Sequence, residues 1–265
     1  MRKLSESVNR HIEALDTELR LASRLQRDFL PRGVSTIGSA RFATLYRPCS
    51  WVSGDIFDIV RLDEQHIGFY LADAVGHGVA AGLLTMYIRH AICMKRIFEG
   101  SYDLTPPPRV LSMLNDRLAS EEFQDSQFVT MWYGLFNTTT LQLDFSSAGH
   151  PPPFLIERHG GCRELYGEGG LLGLISGQHF EHETVQLHPG DRVLVYSDGL
   201  DGILIQHRAP LPEMPTLHAG IPELMRLPSD ELFASLESQL DSAPGSLSKG
   251  DDVSIVLLDV DDPAA

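Results

Sequence analysis

The residues best suited to chemistry in this chain are four aspartates set in short polar turns. They are Asp55 in Ser53-Gly-Asp55, Asp73 in Ala72-Asp-Ala-Val-Gly-His-Gly78, Asp198 in Ser197-Asp-Gly199 and Asp251 in Lys249-Gly-Asp-Asp252. Each adjoins an apolar, strand-like run. Taken singly, an aspartate beside glycine is ordinary turn chemistry, its carboxylate accepting from nearby backbone N–H groups. Four of them at strand boundaries are a different matter, because loops gathered at one end of a sheet would bring them together, and carboxylates in one pocket repel unless cations or protons intervene. Spacing alone does not establish that they meet. If they do, an all-oxygen ligand set favours Mg²⁺ or Mn²⁺ over zinc, which prefers His and Cys. Two such ions about 3.5 to 4 Å apart can lower the pKa of a shared water and offset charge on a phosphoryl group under in-line attack.

Competing motifs are weak. Gly76-His-Gly78 lacks the spacing of a dinucleotide or Walker loop, and the chain contains no Gly-x-Ser-x-Gly elbow. His77 reads either as a turn residue at a helix start or as a proton donor near a substrate phosphate. His150, in Ala148-Gly-His-Pro151, reads as a residue shaping a rigid turn.

The elements that must position these acids follow from periodicity. Residues 2–30 lack Gly and Pro, and Val8, Ile12, Leu15, Leu19, Ala22, Gln26 and Phe29 alternate four- and three-residue steps, a heptad seam. Pro31 and Gly33 stop that helix. It either packs on its own domain or serves a dimeric or signal-transmitting contact. Residues 41–46, 56–60 and 67–72 read as a meander of strands, and 79–92 as a buried helix beginning just past Asp73. A second helix opens at Pro106 to Pro108. Residues 128–136 and 141–145 read as a hairpin whose sheet 152–156 extends, and 184–187 and 192–196 as further strands. The five prolines between 207 and 228 suggest an irregular excursion. Ser229 is placed to cap a helix running to about 240, and 253–258 is the last strand. Two blocks of strands separated by a helix pair indicate an α+β layered domain rather than alternating βαβ units.

The 265 residues carry a formal charge of −15, which argues against nucleic-acid or anionic-membrane partners, since both need a basic surface. Three widely spaced cysteines, Cys49, Cys93 and Cys162, read as reduced thiols. No run is apolar over the ~18 residues a bilayer span requires. A cytoplasmic location is expected.

At this point the motifs, in order, resemble those of the metal-dependent type-2C (PPM) serine/threonine phosphatases, in the bacterial SpoIIE and RsbU-like branch. They run from Gln26-Arg-Asp-Phe-Leu-Pro31 through Ser53-Gly-Asp-Ile-Phe-Asp58, Ala72-Asp-Ala-Val-Gly-His-Gly78, Ala148-Gly-His-Pro-Pro-Pro153 and Pro189-Gly-Asp-Arg-Val-Leu-Val-Tyr-Ser-Asp-Gly-Leu200 to Asp251-Asp-Val-Ser254. The resemblance implies an αββα sandwich, two mostly antiparallel sheets flanked by helices, with two Mn²⁺ or Mg²⁺ ions at one end. It implies Asp73 as the bridging ligand, the Ala74 carbonyl beside it, and Asp55, Asp198 and Asp251 as the other metal ligands. Asp58 belongs to the motif, but three residues from Asp55 on a regular strand it would face the other way. Trp51 and Val75 stand where eukaryotic members carry an arginine and a histidine, so neither of those roles transfers.

The implied function is hydrolysis of phosphoserine or phosphothreonine by metal-activated water, with Asp73 and Asp198 acting through the ions and His77 as a further catalytic candidate. The implied substrate is a STAS-type anti-sigma-factor antagonist in a partner-switching pathway. On this reading 1–31 is a regulatory or linker helix, open to an upstream sensor and to homodimerisation, 32–260 the phosphatase domain and 261–265 a frayed tail. The alternatives are a silent partner-binding regulator with the same fold and a hydrolase of a small phosphate ester.

Overall fold

The structure, a computed structural model, describes residues 2–31, 35–76, 78–121, 127–207, 215–242 and 251–261, with the side chains of 2–6, 8 and 10 outside that description. The chain opens with α1 (Arg2–Phe29), then β1 (Ser35–Ile37), β2 (Ala40–Arg47), β3 (Asp55–Arg61) and β4 (His66–Ala74). Next come α2 (Val79–Ala91), the hairpin β5 (Lys95–Phe98) and β6 (Ser101–Leu104), and α3 (Pro107–Ser120). The second block is β7 (Val129–Asn137), β8 (Gln142–Ala148), β9 (Phe154–Ile156), β10 (Cys162–Glu164), β11 (Glu183–Gln186) and β12 (Arg192–Tyr196). The chain closes with α4 (Asp201–Leu204), β13 (Ile205–His207), β14 (Thr216–Leu217), α5 (Ile221–Leu224), α6 (Ser229–Ser242) and β15 (Val253–Val260).

Two antiparallel sheets stack face to face. One runs β1-β2-β15-β12-β9-β10, the other β11-β8-β7-β4-β3. Alternation within strands builds the layers: in β15, Val256 and Leu258 join the inter-sheet core, while Ile255 and Leu257 point out toward α4, α5 and α6. Similarly, Val193 and Val195 of β12 face inward, and Leu194 and Tyr196 face the helices. On the far side α2 and α3 cover the other sheet, with Ile88, Val110, Leu111 and Leu114 essentially without exposed surface. The result is the αββα sandwich expected from the motifs.

Four local expectations need correction. Residues 41–72 do not form a meander: β3 and β4 pair, but β2 lies in the other sheet against β15, with Ala43 opposite Leu257. The strand at 154–156 does not extend the β7–β8 hairpin, because it pairs with β12 and so crosses to the opposite sheet. Residues 215–228 carry more order than their prolines suggested, namely β14 and α5, while 208–214 lie outside the described residues. Ser229 stands inside α6 rather than before it, and the loop 243–250 and the tail 262–265 are also outside the description.

α1 follows its predicted span but divides its seam. Gln26 is buried, Leu19 and Ala22 are half-buried, and Ile12, Leu15 and Phe29 are exposed. The helix therefore docks on its own domain by its C-terminal half, and the side chain of Val8 is not described. All three cysteines are free thiols, and no described helix is long and apolar enough to cross a membrane.

Candidate metal centre

The acids gather because four strands end at the same edge of the sandwich. Asp55 starts β3 and Asp73 nearly ends β4, and the antiparallel register sets them directly opposite each other. Cross-strand partners share a face with Cβ atoms about 5 Å apart, so two carboxylates confront one another. From the other sheet, Tyr196 ends β12 and leads into a tight turn at Asp198–Leu200, while Val253 opens β15 just after Asp251 and Asp252.

The two halves are bolted together by short contacts. Ser197 Oγ donates to Asp55 Oδ2 at 2.8 Å, and Ser254 N donates to Ser197 Oγ at 2.9 Å. Asp252, buried, accepts from Cys49 N and Gly54 N, each at 2.7 Å, through its two carboxylate oxygens. Gly199 is required at its position, since a Cβ there would fall 2.2 Å from the Asp252 carbonyl oxygen. Gly54 is equally constrained: a Cβ would meet the carbonyl oxygens of Ala74 at 2.8 Å and Gly76 at 3.0 Å, and Asp73 Oδ1 at 3.4 Å. The missing side chain leaves a cradle of oxygens beside Asp73.

Electrostatics report the crowding. Burial, then the charges of Asp55, Asp198, Asp251 and Asp252, pushes Asp73 up to about 9. Burial pushes Asp55 up to about 7, against the Ser254 and Ser197 hydroxyls, which pull it down. Asp198 is raised by burial and by Asp251. Each shift says that the ionised form lacks a compensating positive charge. Among the described residues, however, no three His, Cys, Asp or Glu side chains close around one point as a finished coordination shell.

Of the predicted site residues, Asp55, Asp73, Ala74, Asp198 and Asp251 therefore lie at one edge, with Asp251 exposed and its Oδ1 accepting from Asp252 N. His77 lies outside the described residues. Asp58 points away, as its parity required, and pairs with Arg89 of α2 at 3.2 Å. Reasoning from sequence missed Asp252 and Ser197, which orient the loops rather than face the cradle. It also missed the role of Gln26: its Nε2 donates to Ser53 O at 2.8 Å and to Thr85 Oγ1 at 3.1 Å, and its Oε1 accepts from Ser53 N at 2.9 Å and the Tyr46 hydroxyl at 3.0 Å. A glutamine on an otherwise apolar seam was the available signal.

Comparison with known proteins places the chain in a family. The family model described as Stage II sporulation protein E (SpoIIE) matches residues 63–261. The phosphoserine phosphatase RsbU of Bacillus subtilis is 27% identical over 189 residues, covering 71% of this chain and 54% of RsbU. The phosphoserine phosphatase RsbP of the same organism is 24% identical over 250 residues, covering 92% of this chain and 58% of RsbP. This chain thus spans little more than half the length of those two relatives. Among solved structures, the SiaA-PP2C domain of Pseudomonas aeruginosa superposes with a TM-score of 0.72 at 21% identity, covering 95% of this chain and 99% of that one.

Proposed function

We propose that this chain, which belongs to the SpoIIE family, is a metal-dependent protein phosphatase that hydrolyses phosphoserine or phosphothreonine. The observation that carries the reading is the confrontation of Asp55 and Asp73 across β3 and β4, with Asp198 and Asp251 brought to the same edge from the second sheet. The donor set fits divalent cations of the Mn²⁺ or Mg²⁺ type, because it is entirely oxygen and no salt bridge among the described residues joins Asp55, Asp73, Asp198 or Asp251 to a cationic side chain. Asp73, the Ala74 carbonyl, Asp55, Asp198 and Asp251 would hold two such ions. Divalent cations there supply the charge that acidifies a water and offsets the phosphoryl group. The protein's own work is positioning: Ser197 fixes one oxygen of Asp55, Asp252 fixes Gly54, and glycine at 54 keeps the Ala74 carbonyl accessible.

The rest of the reading follows from the family and from α1. The substrate is a phosphoserine on a STAS-type anti-sigma-factor antagonist, in a cytoplasmic partner-switching pathway; similarity to the phosphoserine phosphatases RsbU and RsbP supports the phosphoserine. Residues 1–31 form a regulatory helix and 32–260 the phosphatase domain. The exposed Ile12 and Leu15 support a homodimeric or sensor contact along its N-terminal half.

The test is Mn²⁺-dependent phosphate release from a phosphoserine protein, compared with free nucleotides. Asp73→Asn and Asp198→Asn are each expected to abolish it, and full activity in either variant refutes the assignment. Preference for nucleotides would favour a small-ester hydrolase, and capture of the phosphoprotein without turnover a silent regulator.

A further inference from the structure

His150 occupies the point where the chain changes sheets. β8 ends at Ala148 in one sheet and β9 begins at Phe154 in the other, so Gly149 to Pro153 is the crossover. Gly149 takes φ 63° and would drive a Cβ to 2.6 Å from Leu171, which sets the turn and delivers the imidazole inward. The ring is buried, 5% exposed. Its Nδ1 lies 2.9 Å from Thr130 Oγ1, and Thr130 stands opposite Asp73 in the β4–β7 register. The two side chains therefore share a face. On its other side the ring lies beside the backbone of Tyr196, two residues before Asp198, without a well-formed hydrogen bond to it.

A ring of contacts results. Asp73 neighbours Thr130, Thr130 meets His150, His150 meets Tyr196, the next residue Ser197 donates to Asp55, and Asp55 faces Asp73. We infer that His150 is a positioning residue of the metal centre, spanning the two sheets to set the distance between the Asp55–Asp73 pair and the loop bearing Asp198. Two features favour this over a residue that only finishes a turn. Burial holds the imidazole pKa down to about 3, so the ring is neutral with lasting donor and acceptor sides, as a spacer requires. Moreover, Nε2 is buried with no well-formed hydrogen bond among the described residues, an arrangement that finishing a turn does not call for.

The inference rests on the metal reading above, and its test reads the metal directly. Mn²⁺ binding to the full chain is measured by calorimetry for the unmodified protein, Thr130→Val, His150→Phe and His150→Asn, with thermal melts of the metal-free proteins beside them. Outer-shell partners of this kind are worth roughly 10- to 100-fold in metal affinity. Thr130→Val and His150→Phe are expected to weaken Mn²⁺ by that factor, with kcat regained at saturating metal. His150→Asn, whose side-chain amide can donate to or accept from Thr130, is expected to recover most of the affinity. Thr130→Val removes only a hydroxyl from a strand, so it decides the matter even where His150→Phe does not fold. Unmodified protein that binds Mn²⁺ with folded variants matching it within about twofold overturns the inference alone. So does affinity that falls only in step with the melting temperature and is not rescued by Asn. Absence of Mn²⁺ binding by the unmodified chain overturns the metal reading and the inference with it.

Discussion

Gln26 lets the joint between α1 and the carboxylate loop be tested quantitatively. Its side chain is buried and supplies the hydrogen bonds for both backbone groups of Ser53, itself without exposed surface, two residues before Asp55. Gln26→Leu keeps the size and removes the polarity. Thr85 keeps its bond to the Gly82 carbonyl at 2.7 Å, and the half-buried Tyr46 hydroxyl can turn to water, so neither is stranded. Ser53 N–H and C=O are. At about 1–3 kcal/mol for each stranded buried group, the cost is about 2–6 kcal/mol, and the leucine methyls return on the order of 1–2 kcal/mol through apolar burial. From the middle of those ranges, about 4 kcal/mol lost and about 1.5 kcal/mol returned, a net loss of about 2.5 kcal/mol is expected, a large share of the roughly 5–15 kcal/mol that holds a domain together. Urea unfolding of the metal-free protein measures it. Leu25→Ala, one residue away but about half exposed, is the control and should change stability by about 0.5 kcal/mol or less. A loss below about 1 kcal/mol for Gln26→Leu, or equal losses for both variants, refutes the claim that Gln26 carries the joint.

Two further outcomes are expected. Gly82→Ala should gain about 1 kcal/mol of helix propensity, yet the new Cβ would lie 2.1 Å from Val52 Cγ1, so overpacking of about 1–3 kcal/mol should win and the melting temperature should fall; Val52→Ala in the same chain should restore it. The second concerns pH. Asp55 and Asp73 titrate at about 7 and about 9 in the folded protein, above the ordinary carboxylate range, so between about pH 4 and those values the native state binds more protons than the unfolded chain. Their contribution to stability is full below about pH 4 and is lost as pH rises through about 7 and about 9. Thermal melts without Mn²⁺ should therefore fall from pH 5 to pH 9, while the stabilisation by added Mn²⁺ grows over the same range; a metal shift that does not grow with pH refutes the carboxylate origin.

Strand positions were legible in the sequence wherever burial was one-sided or continuous. The mostly apolar run 253–258 announced a strand, and the structure buries all of Val253–Val260, Ser254 and Asp259 included, between β2 and β12. Its partner β2 was invisible, because some two hundred residues separate them and nothing local distinguishes pairing with β15 from pairing with the nearer β3. The β5–β6 hairpin was missed for the opposite reason: Ile97, 81% exposed, and Phe98 give it an apolar surface that answers to no core, so periodicity carried no signal. The same distinction decides the site. Parity along β3 was enough to turn Asp58 away from Asp55, and Asp58 does meet Arg89 of α2. No parity rule separates Asp251 from Asp252, which sit together in a turn. What separates them is a pair of backbone amides, Cys49 N and Gly54 N, 203 and 198 residues earlier in the chain, that take both oxygens of Asp252 and leave Asp251 at the edge beside Asp73 and Asp198. Local sequence thus marks which strands end in an acid, and contacts between the two sheets decide which acid is left free at the shared edge.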